Sequence, residues 1–186
     1  MNNSTYIIGE IGQNHNGSVE IALQLIDAVA QPVVDNLFGE KLKPMDAIKL
    51  TRRDLNEELS ASAMMKPYDN PNSFGKTYGE HRAFLELNDE QHFEIYRYAK
   101  SKGLDFVETL CARGCLSMLR YFEPDRLKVA SRDLTNLPLL EAMAETKIPM
   151  ILSTGMGGRA ELDAALEEIT RHHSNISILH CLSQYP

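Results

Sequence analysis

Apolar runs of three or four residues recur along this chain, each followed by a polar cluster and many by a stretch of helical spacing. Residues 127–158, LKVASRDLTNLPLLEAMAETKIPMILSTGMGG, show the unit most clearly. The run at 127–130 carries one lysine, Lys128, and ends in Ser131-Arg132-Asp133. Leu139, Leu140, Met143 and Ala144 then share one face of a helix predicted over 137–145. Lys147-Ile148-Pro149 breaks that helix, and a second run at 150–152 ends in Ser153-Thr154-Gly155. Two strands joined by a helix lie parallel, since an antiparallel pair needs only a hairpin. Both therefore finish at one sheet edge, and both finish in hydroxyls, glycine or charge.

The same alternation holds elsewhere. A strand is predicted at 6–8, followed by a glycine- and asparagine-rich loop at 9–17. Ser18 then caps a helix whose face carries Ile21, Leu25, Ile26 and Val29. An irregular connection at 33–45 leads to a strand at 47–50 containing Lys49. Residues 54–82, rich in proline and asparagine, read as a long irregular loop, and loops of that length are usually functional or mobile. A helix opening at Asn88-Asp89 and stopping at Gly103 precedes a strand at 104–107. A short helix bears Leu116, Leu119 and Tyr121, a longer one spans 161–171, and the last strand is predicted at 176–179. About six βα units of this kind make an α/β fold, either a doubly wound open sheet or a (β/α)₈ barrel of the TIM type. A barrel needs eight strands, so on that reading the chain supplies roughly the first three-quarters of one.

Composition narrows the classes. With 186 residues, 43% hydrophobic and 24% charged, the chain is an ordinary globular one. A net charge of −7 argues against nucleic-acid binding. No apolar run reaches the roughly 20 residues that span a bilayer, and MNNSTYIIGE has no signal-peptide pattern. Three irregularly spaced cysteines fit a reducing compartment, so the expected location is cytoplasmic. Cys111 and Cys115 lack the tight pairing of a zinc site and are expected to be buried thiols, and His172-His173 a solvated pair.

Polar residues gather after nearly every predicted strand: Glu10, Asn14 and His15; Lys49; Thr109; Lys128, Ser131 and Asp133; Ser153; Ser183 and Tyr185. In both candidate folds the carboxyl ends of the strands carry the ligand site. Lys49 and Lys128 matter most, because a lysine inside an apolar strand needs an anion or carboxylate to meet it. Each could instead snorkel to solvent, and His15 alone would more often be a hydrogen-bonded loop residue. Together with Ser131 and Ser153, the two lysines favour a phosphate or carboxylate pocket. No Walker or dinucleotide fingerprint is present.

Five segments, taken in order, resemble the N-terminal domain of the sialic acid synthase (N-acetylneuraminate synthase) family: GEIGQNHNG at 9–17, AIKL at 47–50, LKVAS at 127–131, ILSTGM at 151–156 and ILHCLSQYP at 178–186. The resemblance implies a (β/α)₈ barrel, often followed by an antifreeze-like domain. It implies condensation of phosphoenolpyruvate with N-acetylmannosamine or a related amino sugar, release of phosphate, and a divalent metal such as manganese or magnesium. By motif, Lys49, Lys128, Ser131, Ser153 and Ser183 would hold phosphoenolpyruvate; Asn14, His15 and Tyr185 would meet the sugar. Glu10 and Asp133 would be the catalytic carboxylates, Asp133 standing where members often have a glutamate that handles a proton. Thr51 stands where the family often has glutamine, and Arg132 replaces a small residue. The family's metal-binding histidines belong to later strands, so the metal ligands are expected beyond Pro186 and none within this chain.

The expected partners are small-molecule substrates and a second copy in a homo-oligomer, with a dimer favoured. The other readings are a different phosphoenolpyruvate-dependent sugar synthase, of the 3-deoxy-octulosonate phosphate type, and a truncated, non-catalytic barrel that binds a ligand or partner. Two further expectations concern the chain itself: that 54–82 orders over the site when ligand binds, and that residues 1–186 alone do not catalyse the condensation.

Overall fold

The computed structural model describes residues 5–34 and 37–184. Six parallel strands form one sheet in chain order: β1 (Ile8–Gly12), β4 (Ala47–Arg52), β5 (Asp105–Leu110), β6 (Arg126–Val129), β7 (Met150–Ser153) and β8 (Ile176–Leu179). Helices α1 (Val19–Val29), α5 (Asp89–Ser101), α6 (Leu137–Glu145) and α7 (Arg159–Thr170) link them, and a 3₁₀ run, Arg113–Arg120, stands in for a helix between β5 and β6. Among the described residues β1 and β8 remain the two edges, so the fold is an unclosed portion of a (β/α) barrel.

Strand parity divides the side chains between two faces. Ile48, Leu50, Phe106, Leu110, Leu127, Val129, Met150 and Leu152 pack with the helices in the main core, all fully buried. The residues between them face inward. Ala47, Val107 and Ile151, with Ile8 and Leu179, form a small apolar floor. Two residues further along the same strands the inner face carries Lys49, Thr109 and Ser153 instead. All three are buried.

The helix starts follow local chemistry. The Ser18 hydroxyl accepts from Ile21 N–H, and Asn88 and Gln91 form a reciprocal capping box at α5. Pro138 lies in the first turn of α6, where its missing N–H costs nothing.

Three expectations need correction. The first strand runs over Ile8–Gly12, not 6–8, because Gly9 and Glu10 pair in register with Ile48 and Lys49 of β4; Gly12, at φ +55°, then ends it. Glu10 is thereby a strand residue. The connection at 33–45 contains a small antiparallel hairpin, β2 (Val33–Val34) with β3 (Lys41–Leu42). The stretch 54–82 is not one irregular loop. It holds α2 (Leu55–Glu58), α3 (Ala61–Met64) and most of α4 (Tyr78–Leu85), capped by Asp54, Ser60 and Thr77. The proline–asparagine part between α3 and α4 is the longest piece without helix, and it has packing of its own. Phe74 stacks on His81 and Phe84 with ring centroids 5.8 and 4.4 Å away, and His81 Nδ1 accepts from Phe74 N–H.

Candidate functional site

A cavity of about 460 Å³ opens at the carboxyl ends of the strands. Glu10, Lys49, Lys128, Ser131, Ser153 and Ser183 all line it, together with Thr51, Thr109, Arg53 and Arg132. A larger hollow, about 580 Å³, lies on the outer surface around Leu23, Phe93 and Tyr98. It has no strand ends or converging hydroxyls, and ligands of parallel α/β folds bind at strand ends.

Register builds the cavity. Glu10 pairs with Lys49, Thr51 with Thr109, and Thr109 with Lys128, so four strands bring their polar inner residues side by side. Lys49 is 5% exposed; its Nζ meets Glu10 Oε1 at 2.8 Å, Thr109 Oγ1 at 3.1 Å and Thr51 Oγ1 at 3.4 Å. Lys128 has no such partner among the described residues. Burial, and after it the charge of Lys49, push the Lys128 ammonium below the ordinary lysine range. A cation held in that way favours an incoming anion, which would relieve both penalties.

The hydroxyls come from the end of β7 and from the loops after β6 and β8. Ser131 Oγ accepts from Gly155 N–H at 3.0 Å. A methyl group at Gly155 would lie 2.5 Å from Ser183 Oγ and 3.0 Å from Ser131 Oγ, so both hydroxyls converge where the backbone of the STGMGG loop comes closest. Thr154 fixes that loop to β8 by donating to Leu179 O at 2.8 Å. Two lysines, three serine hydroxyls and exposed backbone make a cradle for a phosphate or carboxylate.

Not every expected residue reaches it. Asp133 is buried beside Arg132, Oδ2 lying 3.3 Å from Arg132 Nε, and is not on the cavity wall; burial raises its carboxyl above the usual range. Asn14 is exposed in the turn after β1, its N–H donating to Ile11 O, and it too is away from the wall. His15 turns inward, 1% exposed, with Nδ1 accepting from Gly17 N–H at 3.1 Å. Burial, and then nearby His92, lower it to about 4, so it is a neutral core imidazole at physiological pH. Tyr185 and Pro186 lie outside the described residues, so the sugar contact expected of Tyr185 and the metal ligands expected beyond Pro186 have no counterpart in the described cavity. His173 is half-buried rather than solvated, with Nδ1 accepting from Asn175 N–H. Cys111 and Cys115 are buried thiols, Cys115 pushed up to about 12 by burial.

The sequence reading missed Arg53 and Arg132 as wall residues. Their signal was position alone, each a charge just past a strand end. Among the described residues the cavity offers one carboxylate, Glu10, already tied to Lys49, two separate cysteines, Cys111 and Cys181, and no imidazole. Its described residues therefore do not make a divalent-metal site by themselves. Among the described residues the grouping with metal-ligand spacing is Glu141, Glu168 and His172, on and just after the outer helices α6 and α7. It stands apart from the cavity, at the outer helices.

Comparison with known proteins agrees with this picture. The family model for the NeuB family matches residues 41–186. The chain is 30% identical over 184 residues to an N-acetylneuraminate-9-phosphate synthase of Drosophila melanogaster, covering 98% of this chain and 46% of that protein. It is 29% identical over 187 residues to an N,N'-diacetyllegionaminic acid synthase of Legionella pneumophila, covering 97% of this chain and 49% of that protein. The chain thus spans about half the length of these relatives. The crystal structure of an N-acetylneuraminic acid synthetase from Leptospira borgpetersenii, in complex with citrate, superposes with a TM-score of 0.78 at 27% identity, over 100% of this chain and 56% of that one.

Proposed function

The chain belongs to the NeuB family, and we propose that its strand-end cavity binds phosphoenolpyruvate for condensation with an amino sugar, forming a nonulosonic acid. In that reaction the enol carbon bonds to the aldehyde carbon of the acceptor, water adds at the neighbouring carbon, and inorganic phosphate leaves. The observation that carries the reading is the meeting of Lys49, Lys128, Ser131, Ser153 and Ser183 in one cavity. Lys128, with no partner of its own among the described residues, is the natural counter-charge for phosphate or carboxylate. The serine hydroxyls and the Gly155 region would fix the anion's orientation. Glu10, paired with Lys49 yet 59% exposed at its side chain, would face the acceptor.

The relatives' names carry different sugars, so the acceptor is proposed here only as an amino sugar. Because the chain spans about half of those proteins, the full reaction is proposed to use strands beyond Pro186. The divalent ion that the resemblance implies would draw its ligands from there as well. Isothermal titration of the chain with phosphoenolpyruvate tests the binding half of the reading. Lys128→Ala should weaken affinity by about 10- to 150-fold, the scale of a lost charge-assisted hydrogen bond. Undiminished affinity in that variant would remove the cavity's assignment.

A further inference from the structure

One pair of wall residues has no work in the phosphoenolpyruvate cradle. Arg53 follows β4 and Arg132 follows β6, so the two arginines approach each other past the end of β5. A single oxygen joins them: Glu58 Oε2 lies 2.6 Å from Arg53 Nη1 and 2.6 Å from Arg132 Nη2. Glu58 itself is almost sealed, its side chain 5% exposed, and it does not line the cavity. Arg53 and Arg132 do. Burial works against the charge of Arg132, but the Glu58 hydrogen bond and the nearby Cys111, Glu58 and Asp133 together outweigh it and keep the group protonated.

The arrangement leaves donors over. Each arginine spends one N–H on Glu58, out of five in a rigid fork. Arg53 Nε is buried with no hydrogen-bond partner among the described residues. Arg132 Nε faces Asp133 at 3.3 Å, with Asp133 Oδ2 making no hydrogen bond. A buried, unsatisfied donor on a charged group is costly unless something meets it. Two forks pinned side by side at a cavity wall are suited to an anion with several oxygens.

We propose that Arg53 and Arg132, clasped by Glu58, form a second anion subsite that receives the acidic end of the acceptor, which is an amino sugar bearing a phosphate or a carboxylate. The inference rests on the phosphoenolpyruvate reading for the word acceptor, and on the arginine geometry alone for the anion. Lys128, Ser131, Ser153 and Ser183 come from β6, the end of β7 and the loops after β6 and β8, whereas the clasp joins the ends of β4 and β6, so the two anions would lie in one cavity toward different strand ends.

Titration of the chain with three probes tests it: N-acetylmannosamine, N-acetylmannosamine 6-phosphate and N-acetylmannosaminuronate, with phosphoenolpyruvate titrated in parallel. One acidic sugar should bind at least tenfold more tightly than the neutral one, and which acid wins identifies phosphate or carboxylate. In Arg132→Ala and in Arg53→Ala that advantage should shrink at least tenfold. Arg132→Lys, which keeps charge and loses the fork, should fall between. The ratio of acidic to neutral affinity is the readout, so a general loss of folding moves both terms together. Equal affinity for all three sugars, or an advantage that survives both substitutions, overturns the proposal. So does a loss confined to phosphoenolpyruvate, which would make the arginines part of its cradle. A chain that discriminates the sugars but does not bind phosphoenolpyruvate would overturn the synthase reading and leave the anion subsite standing.

Discussion

Two ion pairs on neighbouring strands look alike on paper and differ in use. Lys49 Nζ and Glu10 Oε1 are 2.8 Å apart, joining β4 to β1 at the cavity, with Glu10 open to it. His92 Nδ1 and Glu108 Oε2 are 2.9 Å apart, joining α5 to β5, with side-chain exposures of 1% and 0%. Both place titratable groups among apolar neighbours near strand ends. The first faces the inner side of the sheet, where a ligand can reach it. The second faces the helix layer, where nothing but protein can. On β5 the difference is one residue, since Glu108 points to α5 and Thr109 to Lys49. A polar residue at a strand end is thus evidence for a site only once its parity is known.

The largest expected effect strikes the sealed pair. His92→Ala strips the hydrogen bond from a buried carboxylate and should cost about 3–5 kcal/mol of stability, read from urea unfolding. Replacing His92 and Glu108 together by leucine should recover most of that, because the penalty is the buried polar group left without its partner and not the loss of the pair. Phosphoenolpyruvate affinity should stay within about twofold in folded protein. A loss under 1 kcal/mol in His92→Ala would show that the pair is not held as described.

His15 belongs to the same sealed side and makes stability sensitive to acid. Its folded value of about 4 lies below the ordinary 6.5, so between those values the unfolded chain holds the extra proton. Stability contributed by keeping the ring neutral is therefore present above about 6.5, falls as pH drops, and is lost below about 4. The full span is roughly 3 kcal/mol. His15→Gln should flatten the difference curve over that window, and identical curves for the two proteins would contradict a buried neutral imidazole.

At the open side, Lys128→Ala should leave stability level or slightly raised, because burial and Lys49 already disfavour the charge. The wild-type ammonium, lowered in the fold, should be restored toward its ordinary value by a bound anion. Binding in alkaline buffer should then take up protons, and affinity should fall as pH rises through the lowered value. Titrations in two buffers of different ionisation enthalpy measure that uptake. Its absence in wild-type protein would detach Lys128 from the anion.

Much of this was legible in the sequence where a single residue type carried a single meaning. Ser18 and Asn88 announced their helices, and the helix at Leu137–Glu145 and the strand at Ile176–Leu179 fall where the periodicity put them. Lys49, Lys128, Ser131, Ser153 and Ser183 share a wall because parallel strands end together. Parity near a bulge was not legible. The irregularity between Glu10 and Gly12 hid the strand status of Glu10 and sent Asn14 and His15 away from the cavity. Nor could the helices within 54–82 be seen. Two of them are one turn long, held by caps and tertiary contacts rather than by any repeat. The arginine clasp escaped for a third reason. Arg53, Glu58 and Arg132 are united only by tertiary structure, and 74 residues separate Glu58 from Arg132.

The finest test of the open side is a single methyl group. Gly155 does not occupy the left-handed region, so alanine there brings no backbone strain. Its Cβ would meet Ser183 Oγ at 2.5 Å, Ser131 Oγ at 3.0 Å and Cys181 Cβ at 3.1 Å. The two oxygens end short, rotatable side chains; Ser183 is exposed and can turn aside at little cost, while Ser131 would give up only its hydrogen bond from Gly155 N–H. Stability should change by less than about 1 kcal/mol. Turning aside, however, takes the hydroxyls from the orientation in which they face the cavity together. If they hold the anion, Gly155→Ala should weaken phosphoenolpyruvate by about 0.5–1.5 kcal/mol, the worth of one neutral hydrogen bond. That is a loss of roughly two- to tenfold, well below that of Lys128→Ala. Adding Ser183→Ala to the glycine variant should then cost little more, since the same contact is already gone. Full additivity of the two substitutions would mean that Ser183 and Gly155 act on phosphoenolpyruvate separately, and that their close approach has no part in binding it.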